Sequence, residues 1–360
     1  MTAPKERKLK SGWPQMVKFT FALLLGGATF SPILAFAETG TCYHGVNISG
    51  AEYGDAAGVY GTNYTYPSER TVQYFAQKGM NIVRLPFRWE RLQPLLGNAL
   101  DEAELSRLDE AVELIRSHNM SVVLDPHNFG YYGETRMMSE GLTAADFANF
   151  WTRLAIEFAN QDDVFFGLMN EPHDIPTDEW LTSANEAIAG IRATGANNLI
   201  LVPGTNWSGA SSWENPFTGG SNADLMAKVK DPFDNFAFEV HQYMDEDFSG
   251  THDSCPQAKQ AEEALSNFTR WLKDNSFRGF LGEFGGSASE ECLAGLQAMI
   301  NVMDSAPEQW LGWTYWAAGD WWPEDEANNI QPTSKGDRPQ LAAILAAKET
   351  AVSRECETQN

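Results

Sequence analysis

Positive charge is scarce in this sequence: its 360 residues hold 25 Lys and Arg against 49 Asp and Glu, a formal net charge of −24. A surface for nucleic acid needs basic residues to meet phosphates, so nucleic acid is excluded as a partner, and polyanionic substrates and anionic membranes are disfavoured. Cysteine is scarce as well, with four residues, no CxxC pair and no nearby His to complete a ligand set. No metal site is expected, and no organic cofactor. The sequence has no GxSxG elbow and no HExxH helix, which speaks against an esterase or peptidase. No strand signal runs into a Gly-rich phosphate loop, which speaks against a doubly wound nucleotide-binding sheet. Nor is there a Ser/Thr/Pro-rich linker, so a single catalytic domain is expected, with no appended binding module. A hydrophobic content of 43% rules out wholesale disorder.

The one uncharged apolar stretch of near-membrane length is Phe19–Ala37, preceded by Lys5, Arg7, Lys8, Lys10 and Lys18 and closed by Ala35-Phe36-Ala37. A basic start, an apolar middle and small residues at the end describe a secretory signal at residues 1–37, with cleavage after Ala37. The product, residues 38–360, is expected to be secreted, extracellular and free of membrane. It carries 20 basic against 48 acidic residues, a net charge of −28. A monomer is the default for such a product.

Eight short runs rich in Val, Ile and aromatics follow: YHGVNIS from Tyr43, NIVRLPF from Asn81, SVVLDPH from Ser121, VFFGLMN from Val164, NLILVPG from Asn197 or Asn198, FAFEVHQY from Phe236, GFLGEF from Gly279 and LGWTYW from Leu311. Their spacing of roughly 40 residues is that of a strand, a helix and two loops. Helical patterns fill the gaps. Asp101 and Glu104 stand as a capping box before Leu105, Leu108, Val112 and Ile115 on one face. The segment from Thr143 repeats the scheme with Phe147, Phe150, Trp151, Leu154 and Phe158, whereas Asn206–Lys230 is the poorest in clear helix. Eight such units predict an α/β fold, a (β/α)8 TIM barrel in a single domain. That architecture brings Cys255 beside Cys292 and Cys42 beside Cys356, the pairings expected to form in an exported protein.

In such barrels chemistry sits at the C-terminal ends of the strands. Closing the strands there are Arg84, His127 with Asn128, Asn170-Glu171, His241 and Tyr243, Glu283, and Trp316. Two carboxyls facing each other suit glycosidic bond cleavage, one giving a proton to the leaving oxygen and the other meeting positive charge at the anomeric carbon. Arg84 beside one would keep it ionised, while burial would keep its counterpart protonated. Trp faces and hydroxyl-binding polar groups suit a sugar cleft; Trp313 reads as barrel core.

The strings GLMNEPH around Glu171, FLGEFGG around Glu283 and NIVRLPFRWERLQP around Arg84 resemble glycoside hydrolase family 5. So do GVNISGAEYG, DPHNFGYYG, VHQYMDEDFSGTH and GWTYWAAGDWW, and the likeness runs from Tyr43 to Trp322. The wording is similar to secreted endo-β-1,4-glucanases, the cellulases. The resemblance implies a retaining mechanism on a β-glucan polysaccharide, with Glu171 as acid/base and Glu283 as nucleophile. Asn170 would bond the sugar 2-hydroxyl, Arg84 and Tyr243 would orient and ionise Glu283, and His241 would sit near Glu171. His127 would bind the sugar beside the scissile bond over Trp316 as its stacking floor. Trp207, Trp213 and Tyr132 are expected to line the cleft, with Asn206, Glu52 and Asp55 as lesser candidates. Mannan, xyloglucan or mixed-linkage glucan remain open as substrates, as does a non-catalytic carbohydrate-binding barrel, because subsite loops decide this.

Overall fold

The apolar runs become strands buried on both faces, one set of side chains filling a barrel and the other meeting helices. The computed structural model describes residues 41–350; the signal segment 1–37 and Cys356 lie outside the described residues. The strands are β1 (Tyr43–Ile48), β2 (Ile82–Phe87), β3 (Ser121–Pro126), β4 (Val164–Gly167), β5 (Ile200–Pro203), β6 (Phe236–His241), β7 (Gly279–Glu283) and β8 (Trp310–Ala318). They pair in parallel in chain order and close, β8 against β1, into the expected (β/α)8 barrel. The helices named here are α1 (Glu69–Gln77), α2 (Glu102–Ser117), α3 (Ala144–Phe158), α4 (Thr177–Ala193), α5 (Asn222–Met226), α6 (Ala258–Asn275), α7 (Glu290–Asp304) and α8 (Pro339–Thr350). As the sequence suggests, the stretch after β5 is weakly helical: two 3-10 turns and the five-residue α5.

Helix starts follow the local chemistry. Ser68, Asp101, Thr143, Ser221 and Ser289 each accept the backbone N–H three residues on. The reciprocal box forms at Thr143 with Asp146, but at Asp101 only half of it does. There the Glu104 side chain turns inward and accepts from the Tyr64 hydroxyl (2.5 Å), the Tyr66 hydroxyl (3.0 Å) and Arg107 (2.8 Å). A buried carboxylate with three side-chain donors is better satisfied there than by one backbone N–H at a helix end.

Inside the barrel, Ile82, Val123, Phe165, Leu201, Ala237 and Phe280 pack as one apolar plug. One i→i+2 step further along, the same strands present Arg84, Asp125, Gly167, Glu239 and Gly282. The interior thus turns from apolar to polar within about 7 Å of strand rise, and this polar layer is the base of the site. Above it, the Cys255–Cys292 disulfide ties the loop after β6 to the first turn of α7, with Cα atoms 5.2 Å apart. Among the described residues no helix is long and apolar enough to cross a membrane.

Candidate active site

Arg84 was expected at the end of β2 and Trp316 at the end of β8; both lie inside their strands. Arg84 is the third residue of β2, paired with Asn47 on β1 and Val123 on β3. Its long stem carries the guanidinium up into the polar layer, where the residue is 1% exposed. There Nη1 donates to Glu283 Oε1 (2.9 Å) and Asn47 Oδ1 (3.0 Å), and Nη2 to Asn170 Oδ1 (2.9 Å). Asp125 and Glu239 complete its surroundings as ion pairs at 3.0 and 2.9 Å. Trp316 is held inside β8 because the strand continues through the Ile48–Ala318 pairing. Its indole stacks on the His127 ring, centroids 5.2 Å apart and planes 13° apart.

Glu171 stands where the chain leaves the barrel after β4, in the left-handed region at φ 41°. A non-glycine residue held there costs about 1–3 kcal/mol, a conformation that persists where the surroundings over-determine it. The Asn170 N–H bonds Pro126 O, and Oε1 of Glu171 accepts from His241 Nδ1 at 2.7 Å. Glu283, last residue of β7, takes bonds on both oxygens, from Arg84 on Oε1 and from the Tyr243 hydroxyl on Oε2 (2.8 Å). A carboxylate oxygen of each glutamate and a ring nitrogen of His241 lie within 4.8 Å of one another. His127 donates Nδ1–H to Asp125 (2.8 Å) and meets the Asn170 amide nitrogen at 3.2 Å. Since the Asn170 oxygen is committed to Arg84, its amide donates, and His127 Nε2 must offer a lone pair. Burial opposes a charge on that ring, but Asp125 beside it outweighs burial and raises its proton affinity.

Arg84 was expected to hold one carboxyl ionised; at Glu283, the carboxyl it touches, burial works against it. Burial pushes it above the ordinary carboxylate range, His241 and Arg84 pull it down, and Glu171 adds to the rise. Burial alone would push His241 down, but Glu283, Glu171 and Glu239 around it overcome that and hold its pKa at about 10. Burial likewise opposes the charge on Asp125, and Arg84 and His127 hold it below its usual value. Glu171, His241 and Glu283 are metal-ligand types, but the Arg84 guanidinium already stands against Glu283 and opposes a second cation. In a second acidic group, Asp245 accepts the N–H groups of Gly250, Thr251 and His252, which makes it a loop tie.

A line of rings crosses this face: Tyr53 to Trp322 to Trp316 to His127 to Phe129 to His173 to Trp207. Trp207 is 48% exposed and stacks on His173 at 4.8 Å, as a sugar platform should. Its backbone is left-handed, as are those of Asn206 and Ser208 beside it. Trp213 is not in the cleft: it is buried edge-on to Phe238, Phe268 and Trp271, because an indole on a short 3-10 turn reaches the apolar gap beneath α6. Tyr132 packs on Trp89 and donates to Gln93 O. Glu52 is buried against Ser49 and the Gly50 N–H, Asp55 accepts from Ala57 N in a turn, and Asn206 reaches Ser212. Trp313 is fully buried core. Asn47, Asp125 and Glu239 were missed from sequence, although Asp125 and Glu239 precede His127 and His241 by two, the strand spacing that puts both on one face.

The family described as Cellulase (glycosyl hydrolase family 5) matches residues 39–319. Endo-beta-1,4-glucanase B of Emericella nidulans is 36% identical over 315 residues, 87% of this chain and 92% of that protein. A solved endo-beta-1,4-glucanase from Xanthomonas axonopodis pv. citri is 43% identical with a TM-score of 0.84, covering 87% of this chain and all of that one. XacCel5A in complex with cellopentaose is similar at 43% identity and a TM-score of 0.84, over 85% of this chain and 99% of that one. With Glu171 and Glu283 facing each other across the open end of a closed eight-stranded barrel, this chain belongs to glycosyl hydrolase family 5.

Proposed function

We propose that the chain is a secreted endo-β-1,4-glucanase that cuts internal bonds of cellulose-like chains with retention of configuration, working as a monomer. The carrying observation is the approach of the two carboxyls: an oxygen of each within 4.8 Å suits the retaining separation of about 5–5.5 Å better than the about 6.5–9.5 Å of an inverting pair. Glu283, fixed at both oxygens, is the nucleophile. It attacks the anomeric carbon as the glycosidic C–O bond breaks, and Glu171 gives its proton to the departing oxygen. Water then gives a proton to Glu171 while its oxygen takes the anomeric carbon, releasing Glu283. Asn170, with its oxygen tied to Arg84, has an amide placed for the 2-hydroxyl. Trp316 on His127 is the floor beneath the sugar being cut, and Trp207 on His173 a platform further along.

The reading draws support from curated relatives named endo-beta-1,4-glucanases and from the similar enzyme that binds cellopentaose. The test is product analysis on carboxymethylcellulose, mixed-linkage β-glucan, glucomannan and β-mannan, run beside Glu283→Gln. Rapid viscosity loss and β-configured cello-oligosaccharides from the first substrate, absent in the variant, are the expected result. Cleavage of mannan alone would overturn the substrate and keep the carboxylates; sedimentation at working concentration checks the monomer.

A further inference from the structure

One residue of the polar layer is left without work by that mechanism. Glu239 lies two residues before His241 on β6, fully buried, with no reach to a substrate. Its Oε1 stands 2.9 Å from Arg84 Nε and 3.3 Å from His241 Nε2, and its Oε2 has no hydrogen-bond partner. Space for it is made by Gly282 on β7, where any Cβ would come within 2.1 Å of Glu239 Oε1. Neutralising Arg84 does not account for Glu239, since Asp125 and Glu283 already face that guanidinium. The remaining contact is with His241, whose other nitrogen meets Glu171 at 2.7 Å, with Glu283 Oε2 3.6 Å from it. A ring with a carboxyl oxygen at each nitrogen satisfies both by donating two N–H groups; a neutral ring would turn a lone pair on one of them.

We propose that Glu239 is a positioning residue that keeps His241 an imidazolium through both halves of the reaction, so that this one cation faces whichever catalytic carboxyl is charged. The proposal rests on the retaining reading above. In the free enzyme the charged neighbours of His241 are Glu239 and Glu283, with Glu171 holding its proton. When Glu283 becomes a glycosyl ester it loses its charge, and Glu171, having given its proton to the leaving oxygen, gains one. Glu239 is the charge common to both states. The groups facing His241 are therefore Glu239 on its own strand, Glu171 after β4, Glu283 on β7, Arg84 on β2 and Asp125 on β3, with the Tyr243 hydroxyl on the far side of Glu283. Glu52, beyond His127, makes no ion pair with Arg84 or His241.

The experiment is nitrogen NMR of the ¹⁵N-histidine-labelled enzyme from pH 6 to 8.5, free and after trapping with a 2-deoxy-2-fluoro-β-cellobioside carrying an activated leaving group. His241→Asn assigns the signal. Both ring nitrogens of His241 should stay protonated in the free and the trapped enzyme across that range. In Glu239→Gln the trapped ring should become neutral within the range, because the charge common to both states is gone. A neutral ring in the trapped unmutated enzyme overturns the proposal, and so does a Glu239→Gln protein whose trapped ring stays protonated as in the parent. If Glu239→Gln does not melt cooperatively, the unmutated enzyme alone decides. Failure of the inactivator to add a sugar to Glu283, read by mass, would instead sink the retaining reading.

Discussion

Tyr243 shows most directly how single contacts set the chemistry, because its hydroxyl donates to Glu283 Oε2 at 2.8 Å. A bond donated to a carboxylate favours its ionised form, and burial already pushes Glu283 upward. Tyr243→Phe should therefore raise Glu283 further. The acid limb of kcat/KM should shift to higher pH, and the rate at the optimum should fall about 10- to 100-fold, the worth of one hydrogen bond to a charged group. A pH–rate profile on a soluble glucan checks both, and an unmoved acid limb would separate Tyr243 from the ionisation of Glu283. The residues of this scale that the sequence revealed are those ending strands in recognisable strings: Asn170-Glu171, His241 with Tyr243, and Glu283. Asp125 and Glu239 escaped because a lone acid inside an apolar run reads as an irregularity. Only the barrel's closure, which brings five strands to one level, shows that they surround Arg84. Trp213 misled for the opposite reason, since an indole in a polar loop looks exposed until α6 is placed over it.

Elements were more legible than side-chain partners. The eight strand signals and the capped helices depend on local periodicity and on short polar side chains at helix starts, both written within a few residues. What each cap's neighbour does is not local, and so Glu104 left its box for Tyr64 and Tyr66. Two long-range ties bear testing at this scale. Asp231, before β6, receives Arg192 from the end of α4 (2.8 and 2.7 Å) and the N–H groups of Phe233 and Asn235. Burial opposes its charge, yet these donors hold it below the ordinary carboxylate range. Asp231→Asn leaves Arg192 buried without its counter-charge and should cost about 3–5 kcal/mol at neutral pH. A depressed carboxyl stabilises above its unfolded pKa of about 3.9 and loses that contribution as pH falls through the folded value. The gap between parent and variant in chemical denaturation should therefore close in acid. The Cys255–Cys292 bridge, 37 residues apart in sequence, constrains the unfolded chain by about 4 kcal/mol on the loop-entropy estimate. A Cys255→Ala/Cys292→Ala protein should melt lower by a matching amount, read by thermal denaturation of parent and variant side by side.

At the scale of the whole molecule the dominant quantity is charge. Residues 38–360 carry a net −28, and even the buried site holds Asp125, Glu239, Glu171 and Glu283 against Arg84 and His241. The cleft opens onto that surface, and a charged polymer feels it long before it reaches Trp207 or Trp316. Carboxymethylcellulose is a polyanion, whereas mixed-linkage β-glucan is neutral, yet both offer the same apolar sugar faces to the aromatic line. The field of the protein should repel the first and ignore the second. Screening lengths shrink from about 30 Å at 0.01 M salt to about 8 Å at 0.15 M. Raising salt over that range should lower KM several-fold for carboxymethylcellulose and leave KM for the neutral glucan within experimental scatter, with kcat unchanged on both. Parallel responses on the two polymers would mean that salt acts on the enzyme's fold or its ionisations. A response confined to the charged polymer would show that the acidic surface screens substrates by charge before the rings sort them by shape.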